Sequence, residues 1–443
     1  MPAVFLVELV VGLYGFTLFM FHPLLEQYIY RRLWLERNGS DYPDHVQIHC
    51  SNNHSYVVLH QAVQKETSLF LLQSELCFLV PNLISTLLLV SYSDHRGRKV
   101  AIIPPLLGDT LFTMTYFLVS RFSFSLRFLM AGSFLSGLMG GFPSLIGGCF
   151  AYVADLCGED LAGQKTFRMA RLDMILGVLT GLASLCSGFF LKAAGFTWPF
   201  LTAVFLHLLN LLYVLVILKE SPLVCQDPTS SQCSSSALTT HLQGVYLLFA
   251  TAKRRRNVIL LLMLTAFAFF RMAQQGGMSI FILYELNTPL CWSEVFVGYG
   301  SALSTAIYLV SFATVALLSR CLPDAYIILL GLVSVAAGLI MAPFAKSTLL
   351  MFLVRVPLLL SIMPNPVLRS MMSKIVSGSE QGAMFACVAF VEMLCVGVAL
   401  TIFKSIYAAT ISWFPGFSFL LAAGLTVIPA TLIWSVPKLY FES

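Results

Sequence analysis

Long apolar runs separated by short polar stretches alternate along the whole chain. A helix needs about 20 apolar residues to cross a bilayer. Twelve such runs are present, at roughly 3–28, 69–92, 99–120, 127–154, 166–192, 198–218, 257–284, 296–318, 325–345, 348–374, 382–407 and 414–436. They are too long for barrel strands and lack the two-residue alternation of such strands. The pattern predicts an all-α membrane protein with twelve spanning helices, numbered 1 to 12.

The composition adds one conclusion to this prediction, which is that it excludes a water-soluble fold. Of 443 residues, 58% are hydrophobic and 11% are charged, whereas soluble domains carry about 25% charged residues. We therefore expect a lipid bilayer as the surrounding medium. The net charge of +5 is small, so no nucleic-acid partner is expected. The first run lacks a basic segment and a small-residue cleavage site, and we interpret it as a retained helix.

The polar connections predict the domain organisation. Residues 31–66 form a polar loop after helix 1, and residues 285–295 form a short connector after helix 7. Residues 219–256 contain the Ser/Thr-rich stretch "DPTSSQCSSSALTTH", which cannot build a core. We therefore predict a six-helix bundle at 1–218, a cytoplasmic linker at 219–256 and a second six-helix bundle at 257–443.

The distribution of Lys and Arg predicts the orientation. Cytoplasmic loops are enriched in these residues, and a cytoplasmic N-terminus puts most of them on that side: Arg96, Arg98, Lys99, Lys165, Arg168, Lys219, the 253–256 cluster, Arg320 and Lys374. Two glycosylation sequons begin at Asn38 and Asn53, in the first loop. Sequons are used only on the luminal face, and this orientation makes that loop luminal.

No enzyme signature is present. The sequence lacks H-E-x-x-H, a G-x-G-x-x-G after a strand and a P-loop, so we expect neither an enzyme nor an ATP-driven pump. In the first loop, His45, His49, Cys50 and His54 suggest a metal site. Their spacing fits no common zinc finger, and we predict no metal and no cofactor.

The charged stretch "SYSDHRGRKV" (91–100) interrupts two apolar runs between helices 2 and 3. It resembles the G-x-x-x-D-R-x-G-R-R/K loop motif of the major facilitator superfamily. Matching positions are Asp94, Gly97, Arg98 and Lys99, whereas His95 and Val90 replace the usual Arg and Gly. The resemblance implies the twelve-helix major facilitator fold, in which two six-helix bundles are related by a pseudo-two-fold axis.

The same resemblance implies a cytoplasmic gate latch. Asp94 would point at the positive N-terminal end of helix 11, where Ser377 and Glu380 have the spacing of a capping box. Arg98 would pair with Asp155 at the cytoplasmic end of helix 4. The alternative interpretation is that these charges only enforce topology, but topology alone requires neither Asp94 nor the motif glycine.

A narrower resemblance extends through nearly the whole chain. It is to the proton-coupled folate transporter family, solute carrier family 46, and closest to its lysosomal branch. Its main stretches are "TFRMARLDMILGV" (166–178), "ILYELNTPLCW" (282–292), "GYGSA" (298–302), "PVLRSMMSKIV" (366–376), "EQGAMFACVAF" (380–390) and "PGFSFLLAAGLTVIPA" (415–430). The folate member carries a functional His and Asp in helix 7, where this chain has Gln274 and Ser279.

Acidic residues inside predicted helices are candidates for proton coupling, because a mid-membrane charge costs roughly 2.5–3.5 kcal/mol. The family has a coupling glutamate at the position of Asp173, and a carboxylate in a partly dry cavity can exchange protons between an acidic lumen and the cytosol. The alternative is a structural ion pair with Arg171 or with an arginine of another helix. Glu8 and Glu75 are further coupling candidates, and each has packing as its alternative.

Intramembrane arginines are candidates for substrate binding. Arg369 matches the family arginine that affects substrate binding, and its guanidinium suits a carboxylate, sulfate or phosphate. The alternative is an arginine that reaches toward the cytoplasmic end. Arg271 and Gln274 in helix 7 are expected beside the cavity, and Arg355 in helix 10 is expected to pair with Glu392.

The family resemblance also implies a disulfide. The family pairs cysteines at the positions of Cys50 and Cys291. Both lie in loops that the predicted topology makes luminal, where an oxidising secretory route keeps such a bond stable.

These observations lead to one functional hypothesis. We expect a monomeric, proton-coupled transporter that moves anionic, amphipathic solutes from an acidic lumen to the cytosol by alternating access. The resemblance implies folate-like acids, steroid conjugates and peptidoglycan fragments as substrates, protons as the coupling ion, and a lysosomal membrane, with the plasma membrane as the alternative. Helices 3, 6, 9 and 12 should face lipid, which makes Asp109 and His207 peripheral. The rival hypothesis is a transporter-shaped receptor, and a channel is a weaker third.

Overall fold

Twelve membrane helices account for most of the residues that the computed structural model describes, which are 4–39, 54–157, 162–220, 254–286, 290, 292, 294–410 and 413–441. Eight are single helices: α1 (Val4–Asn38), α2 (His54–Arg96), α3 (Lys99–Phe122), α5 (Ala162–Ala194), α6 (Thr197–Val216), α8 (Glu294–Leu318), α9 (Asp324–Met341) and α11 (Gln381–Thr410).

Four helices are interrupted. Their pieces are Arg127–Leu138 and Gly141–Cys157 in α4, Arg254–Met278 and Phe281–Leu286 in α7, Thr348–Val354, Pro357–Leu360 and Pro364–Ile375 in α10, and Phe417–Leu425 and Val427–Phe441 in α12. The described residues contain no β-strand. Within the part of the chain that the structure describes, eleven spans are long and apolar enough to cross a membrane, and α8 contains a shorter apolar stretch, Leu303–Leu318. The all-α prediction is confirmed.

The first two helices extend farther than the apolar pattern predicts. α1 continues to Asn38 and α2 begins at His54, so much of the predicted 31–66 loop is helical. Trp34 and Val63 are buried in one hydrophobic cluster, and Arg32 pairs with Glu36 at 3.1 Å in the same helix. Hydropathy misses these turns because packing and an i,i+4 ion pair stabilise them. α7 likewise begins at Arg254, inside the predicted linker.

Contacts between helices show how the two halves meet. α1 packs on α5 and α6, α3 on α4 and α6, and α7 on α11 and α12. Between the halves, α2 packs on α11 and α5 on α8. A two-fold axis that exchanges helix n with helix n + 6 converts the first of these two contacts into the second. The pairing therefore has the pseudo-two-fold symmetry that the loop motif implies.

The outer helices expose apolar side chains where the sequence predicts a lipid-facing surface. Phe205, Val216 and Val333 on α6 and α9 are 63%, 73% and 65% exposed, as expected of side chains solvated by hydrocarbon. The peripheral location predicted for Asp109 and His207 is wrong, because both are buried on the inner faces of α3 and α6. A polar group inside a helix that borders lipid turns toward partners in its own bundle.

One glycine allows α2 and α4 to pack closely. A Cβ at Gly137 would lie 2.3 Å from the backbone oxygen of Phe78. Backbone cannot move aside as a flexible side chain can, so only a residue without a side chain fits at this contact.

We predict that Gly137→Ala lowers the melting temperature, because overpacking a tight contact costs about 1–3 kcal/mol. Thermal unfolding monitored by size-exclusion chromatography measures the effect. Gly188→Ala in α5 is the matched control, since an added Cβ there meets nothing within 4 Å. Equal melting temperatures for the two variants would contradict the close approach of α2 and α4.

Candidate functional site

Four charged side chains meet between the two halves of the molecule. Arg369 of α10 donates through Nη1 to Asp173 of α5 at 3.2 Å and through Nη2 to Glu392 of α11 at 2.5 Å. Arg271 of α7 pairs with the other oxygen of Glu392 at 2.9 Å. Two cations and two anions thus alternate in one chain of contacts, which we call the central cluster. When all four groups are ionised, the central cluster has no net charge.

The central cluster is shielded from water and bordered by aromatic rings. Arg369 is 5% exposed and Asp173 is 9% exposed. The Arg369 guanidinium carbon lies 4.5 Å from the ring centre of Phe150 and 5.6 Å from that of Phe267. Cations over ring faces gain stabilisation, which increases as water is removed. Sequence reasoning missed both rings, because a phenylalanine in an apolar helix carries no distinguishing signal.

Gln274 holds Arg271 in position and makes no contact of its own with the carboxylates in the two hydrogen bonds described for its side chain. Its side-chain oxygen accepts a hydrogen bond from Arg271 at 2.9 Å, and its nitrogen donates to the backbone oxygen of Ser361 at 3.3 Å. A bridge from α7 to α10 therefore holds the guanidinium beside Glu392.

A second ion pair lies in the N-terminal half. Glu8 of α1 pairs with Arg171 of α5, two residues before Asp173. Arg171 is therefore bound to Glu8, and Asp173 forms its ion pair with Arg369. Of the two pairings that the sequence left open for Asp173, the structure has the one with an arginine of another helix.

Arg355 does not belong to the central cluster, and its predicted pairing with Glu392 is wrong. It pairs with Glu285 at 2.5 Å and donates to the backbone oxygens of Gly300 and Met351. Arg355 follows the first piece of α10, before the 3-10 turn, whereas Arg369 lies in the last piece. The two breaks direct these arginines to different partners.

Glu75 also lies apart from the central cluster. It is exposed on α2 and interacts electrostatically with Glu26 of α1 and Lys404 of α11. All three side chains are exposed although they lie on helices whose other faces are buried. They lie toward the predicted luminal ends of these helices.

The cytoplasmic ends of the halves are joined by the motif residues. Asp94 accepts hydrogen bonds from the backbone nitrogens of Gly382 and Ala383 at 2.7 and 2.9 Å. Arg98 donates to Asp94 at 2.6 Å and to both oxygens of Asp155 at 2.6 and 3.1 Å. The carboxylate thus sits on the first turn of α11, where helix dipoles favour an anion. These are the contacts that the motif predicts, and their function as a gate stays a prediction.

A second set of cytoplasmic contacts joins α5 to α10. Thr166 and Ser370 share a 2.7 Å hydrogen bond, and Lys374 donates to Thr166 at 3.0 Å. Lys165 reaches the backbone oxygen of Ser373 at 3.5 Å. Sequence reasoning missed this set, since hydroxyls and lysines near a helix end look like ordinary surface residues. Both sets therefore join the predicted cytoplasmic ends of the two halves.

The predicted capping box stabilises the helix end that Asp94 contacts. Ser377 and Glu380 form the reciprocal bonds of the box, and Arg256 pairs with Glu380 at 2.7 Å. Burial opposes ionisation of Glu380, but hydrogen bonds from Arg256 and Ser377 outweigh it and lower its pKa. A lowered pKa adds stability that is lost only as the pH falls through it. At cytosolic pH the capped end therefore stays ionised.

Several predicted sites fall outside the described residues. Cys50, Cys291 and Asn53 lie there, so the disulfide and the second sequon stay predictions. Asn38 is exposed at the end of α1. Among the described residues, no group of three His, Cys, Asp or Glu side chains is arranged to hold a metal. His45 and His49 of the first loop are outside that search.

Solved structures share this architecture. The human organic anion transporter MFSD10 (TETRAN) has a TM-score of 0.72 at 16% identity, covering 97% of this chain and 98% of its own. The E. coli fucose:proton symporter FucP has a TM-score of 0.70 at 13% identity, covering 98% of each chain. The fold is that of the major facilitator superfamily.

Sequence relatives identify the family of this chain. No protein-family model matches it. The Gallus gallus "lysosomal proton-coupled steroid conjugate and bile acid symporter SLC46A3" is 44% identical over 98% of this chain and 94% of its own, and the Homo sapiens protein of the same name is 40% identical over 96% and 92%. The Rattus norvegicus proton-coupled folate transporter is 35% identical over 98% and 92%. The chain belongs to the family of SLC46A3 and the proton-coupled folate transporter, and it is a multi-pass membrane protein.

We predict that Asp94→Asn opens the cytoplasmic side. Losing the charge weakens hydrogen bonds worth about 1.5–3 kcal/mol each, which shifts the population toward the open form. Labelling of the buried Cys387 by a maleimide, quantified by mass spectrometry, should become about tenfold faster. Glu36→Gln, in an exposed luminal pair, is the control. Unchanged labelling of Cys387 in Asp94→Asn would remove Asp94 from the gate.

Proposed function

We propose that the protein is a proton-coupled symporter that moves amphipathic organic anions from the acidic lysosomal lumen to the cytosol. Relatives named for steroid conjugates, bile acids and folate support this substrate class. Their names include neither peptidoglycan fragments nor a receptor without transport, and we propose neither. Gln274 and Ser279 replace the His and Asp of the folate member, which favours steroid conjugates and bile acids over folate.

The charge balance of the central cluster carries this proposal. With Asp173 and Glu392 ionised, both arginines are neutralised by contacts of 2.5–3.3 Å. An incoming anion would then lose its attraction to the arginines and be repelled by two carboxylates. A proton on Asp173 removes one negative charge and leaves the cluster at +1. Arg369 then has a free edge for a carboxylate or sulfate.

The exchange of Asp173 for the anion on Arg369 determines the direction of proton-coupled transport. The acidic lumen supplies the proton in the lumen-open form, and the anion takes the place of Asp173 on Arg369. The halves then rock, and the cytoplasmic contacts of Asp94 and Lys374 break. At neutral pH the proton leaves, and the ionised Asp173 competes with the anion for Arg369 and expels it. An arginine is suited to this alternation because it stays charged throughout.

The rings beside Arg369 suit the apolar part of such a solute. Phe150 and Phe267 lie against the guanidinium, and Phe385 stacks on Phe150 at 6.1 Å. Aromatic faces bury large apolar area with little loss of side-chain freedom. A flat, fused-ring skeleton with one anionic group matches this combination of rings and cation.

We expect proteoliposomes with an acidic exterior and a neutral interior to accumulate a labelled steroid sulfate. The proton gradient drives uptake through molecules whose luminal face points outward. Empty liposomes are the control, and a proton uncoupler should abolish accumulation. Accumulation that survives the uncoupler would contradict proton coupling, and binding without accumulation would contradict transport.

We expect Asp173→Asn to flatten the pH dependence of uptake, leaving only what other titrating groups contribute, while the protein still binds the anion. An amide cannot take up the coupling proton, and it no longer competes with the anion as a negative charge. Initial uptake rates across a series of external pH values, together with binding to the purified protein, provide the measurement. Glu36→Gln is the matched carboxyl-to-amide control. A normal pH profile in Asp173→Asn would exclude Asp173 from coupling.

A further inference from the structure

Asp109 is a buried carboxylate to which no described cation is bonded. It lies in the middle of α3, is 4% exposed, and accepts hydrogen bonds from the hydroxyls of Tyr14 and Ser136. The Ser136 bond is 2.5 Å long. Both donors are neutral, in contrast to the arginines that bind Asp173 and Glu392.

The groups that the structure describes around Asp109 supply no positive charge. Tyr14 comes from α1, Ser136 from the first piece of α4, Cys149 from the second piece, and His207 from α6. The Tyr14 ring lies 5.7 Å from the His207 ring. Both ring nitrogens of His207 are buried without a hydrogen-bond partner, an environment that favours the neutral imidazole. An ionised Asp109 would therefore be a charge in a dry bundle with only two hydroxyls for compensation, whereas a protonated one is neutral.

A narrow void lies beside Asp173 of the central cluster. Val11, Cys149 and Phe150 are among the other residues that line it. The void has no room for a water molecule in this conformation. Asp109 itself is 4% exposed, so a proton on it is enclosed in this conformation and can be exchanged only when the helices around it move.

We propose that Asp109 is a second proton-binding site, separate from the central cluster, which holds a proton in the lumen-open form and exchanges it as the halves rock. The proposal rests on the proposed function for its role in transport. Ser136 lies near the break between the two pieces of α4, and Tyr14 lies on α1, which packs on α5. Relative movement of these helices changes the number of hydroxyls that stabilise the ionised carboxylate, and with it the affinity for the proton.

The first test counts protonated carboxyl groups without transport. Infrared difference spectra of the purified protein, recorded during a pH titration, should show a carboxylic C=O band that Asp109→Asn removes. Tyr14→Phe and Ser136→Ala each delete one donor to the carboxylate, so they should move the titration of this band to higher pH. Ser133→Ala is the matched control, because Ser133 lies one turn from Ser136 and bonds to Ser74 instead.

The second test measures the ratio of protons to substrate in proteoliposomes. Asp109→Asn should lower this ratio by one proton, with uptake of the steroid sulfate still measurable. A band that does not titrate in the wild type, or an unchanged ratio in Asp109→Asn, overturns the proposal. If Asp109→Asn does not fold, an unshifted band in both Tyr14→Phe and Ser136→Ala overturns it.

The two proposals fail in distinguishable ways. If the wild type takes up no substrate in response to a proton gradient, the proposed function is wrong, but a titrating band that responds to the Tyr14 and Ser136 variants still supports the site. If wild-type uptake is proton-coupled and the band or the ratio is unaffected by Asp109→Asn, only the second site is wrong.

Discussion

The contact of one arginine with two carboxylates links the parts of this transporter. Arg369 bonds to Asp173 across the interface between the halves and to Glu392 within its own half. Removing one partner of such a buried set leaves an uncompensated charge, at a typical cost of about 3–5 kcal/mol. The central cluster is therefore stable only when each of its charges is compensated, either by an opposite charge of the protein, by a bound proton or by a bound solute. Because the four charged residues lie on α5, α7, α10 and α11, their contacts require these helices to stay close together.

The requirement that buried charges be compensated is met differently at the cytoplasmic ends, where backbone amides take part, than in the central cluster. Asp94 binds backbone amides of α11, and the Glu380 cap beside it stays ionised at cytosolic pH. In the proposed transport cycle, these contacts would break through movement of helices and not through titration. The residues proposed to bind protons lie deeper, among rings and hydroxyls. The proposal therefore assigns proton binding and gate opening to different residues, which the helices would couple.

Much of the fold could be predicted from sequence because hydropathy and a local motif report on single segments. Twelve apolar runs identified the spans, and the resemblance of the 94–99 stretch to the superfamily's loop motif indicated which helix ends meet. Pairings between distant helices were less accessible. Arg369 and Asp173 are 196 positions apart, and Arg355 was assigned to Glu392 because neither hydropathy nor spacing distinguishes two arginines on one helix. The burial of Asp109 was missed because an average over a lipid-facing helix conceals its single inward polar residue.

The breaks in α10 have a mechanical consequence. The luminal segment is bound through Arg355 to Glu285 and to the backbone of α8, whereas the cytoplasmic segment carries Arg369 and Lys374. A continuous helix would transmit any tilt along its full length and pull on both arginines together. The interrupted helix can bend at its breaks, so the segment that carries Arg369 can turn while the segment bound through Arg355 stays in place.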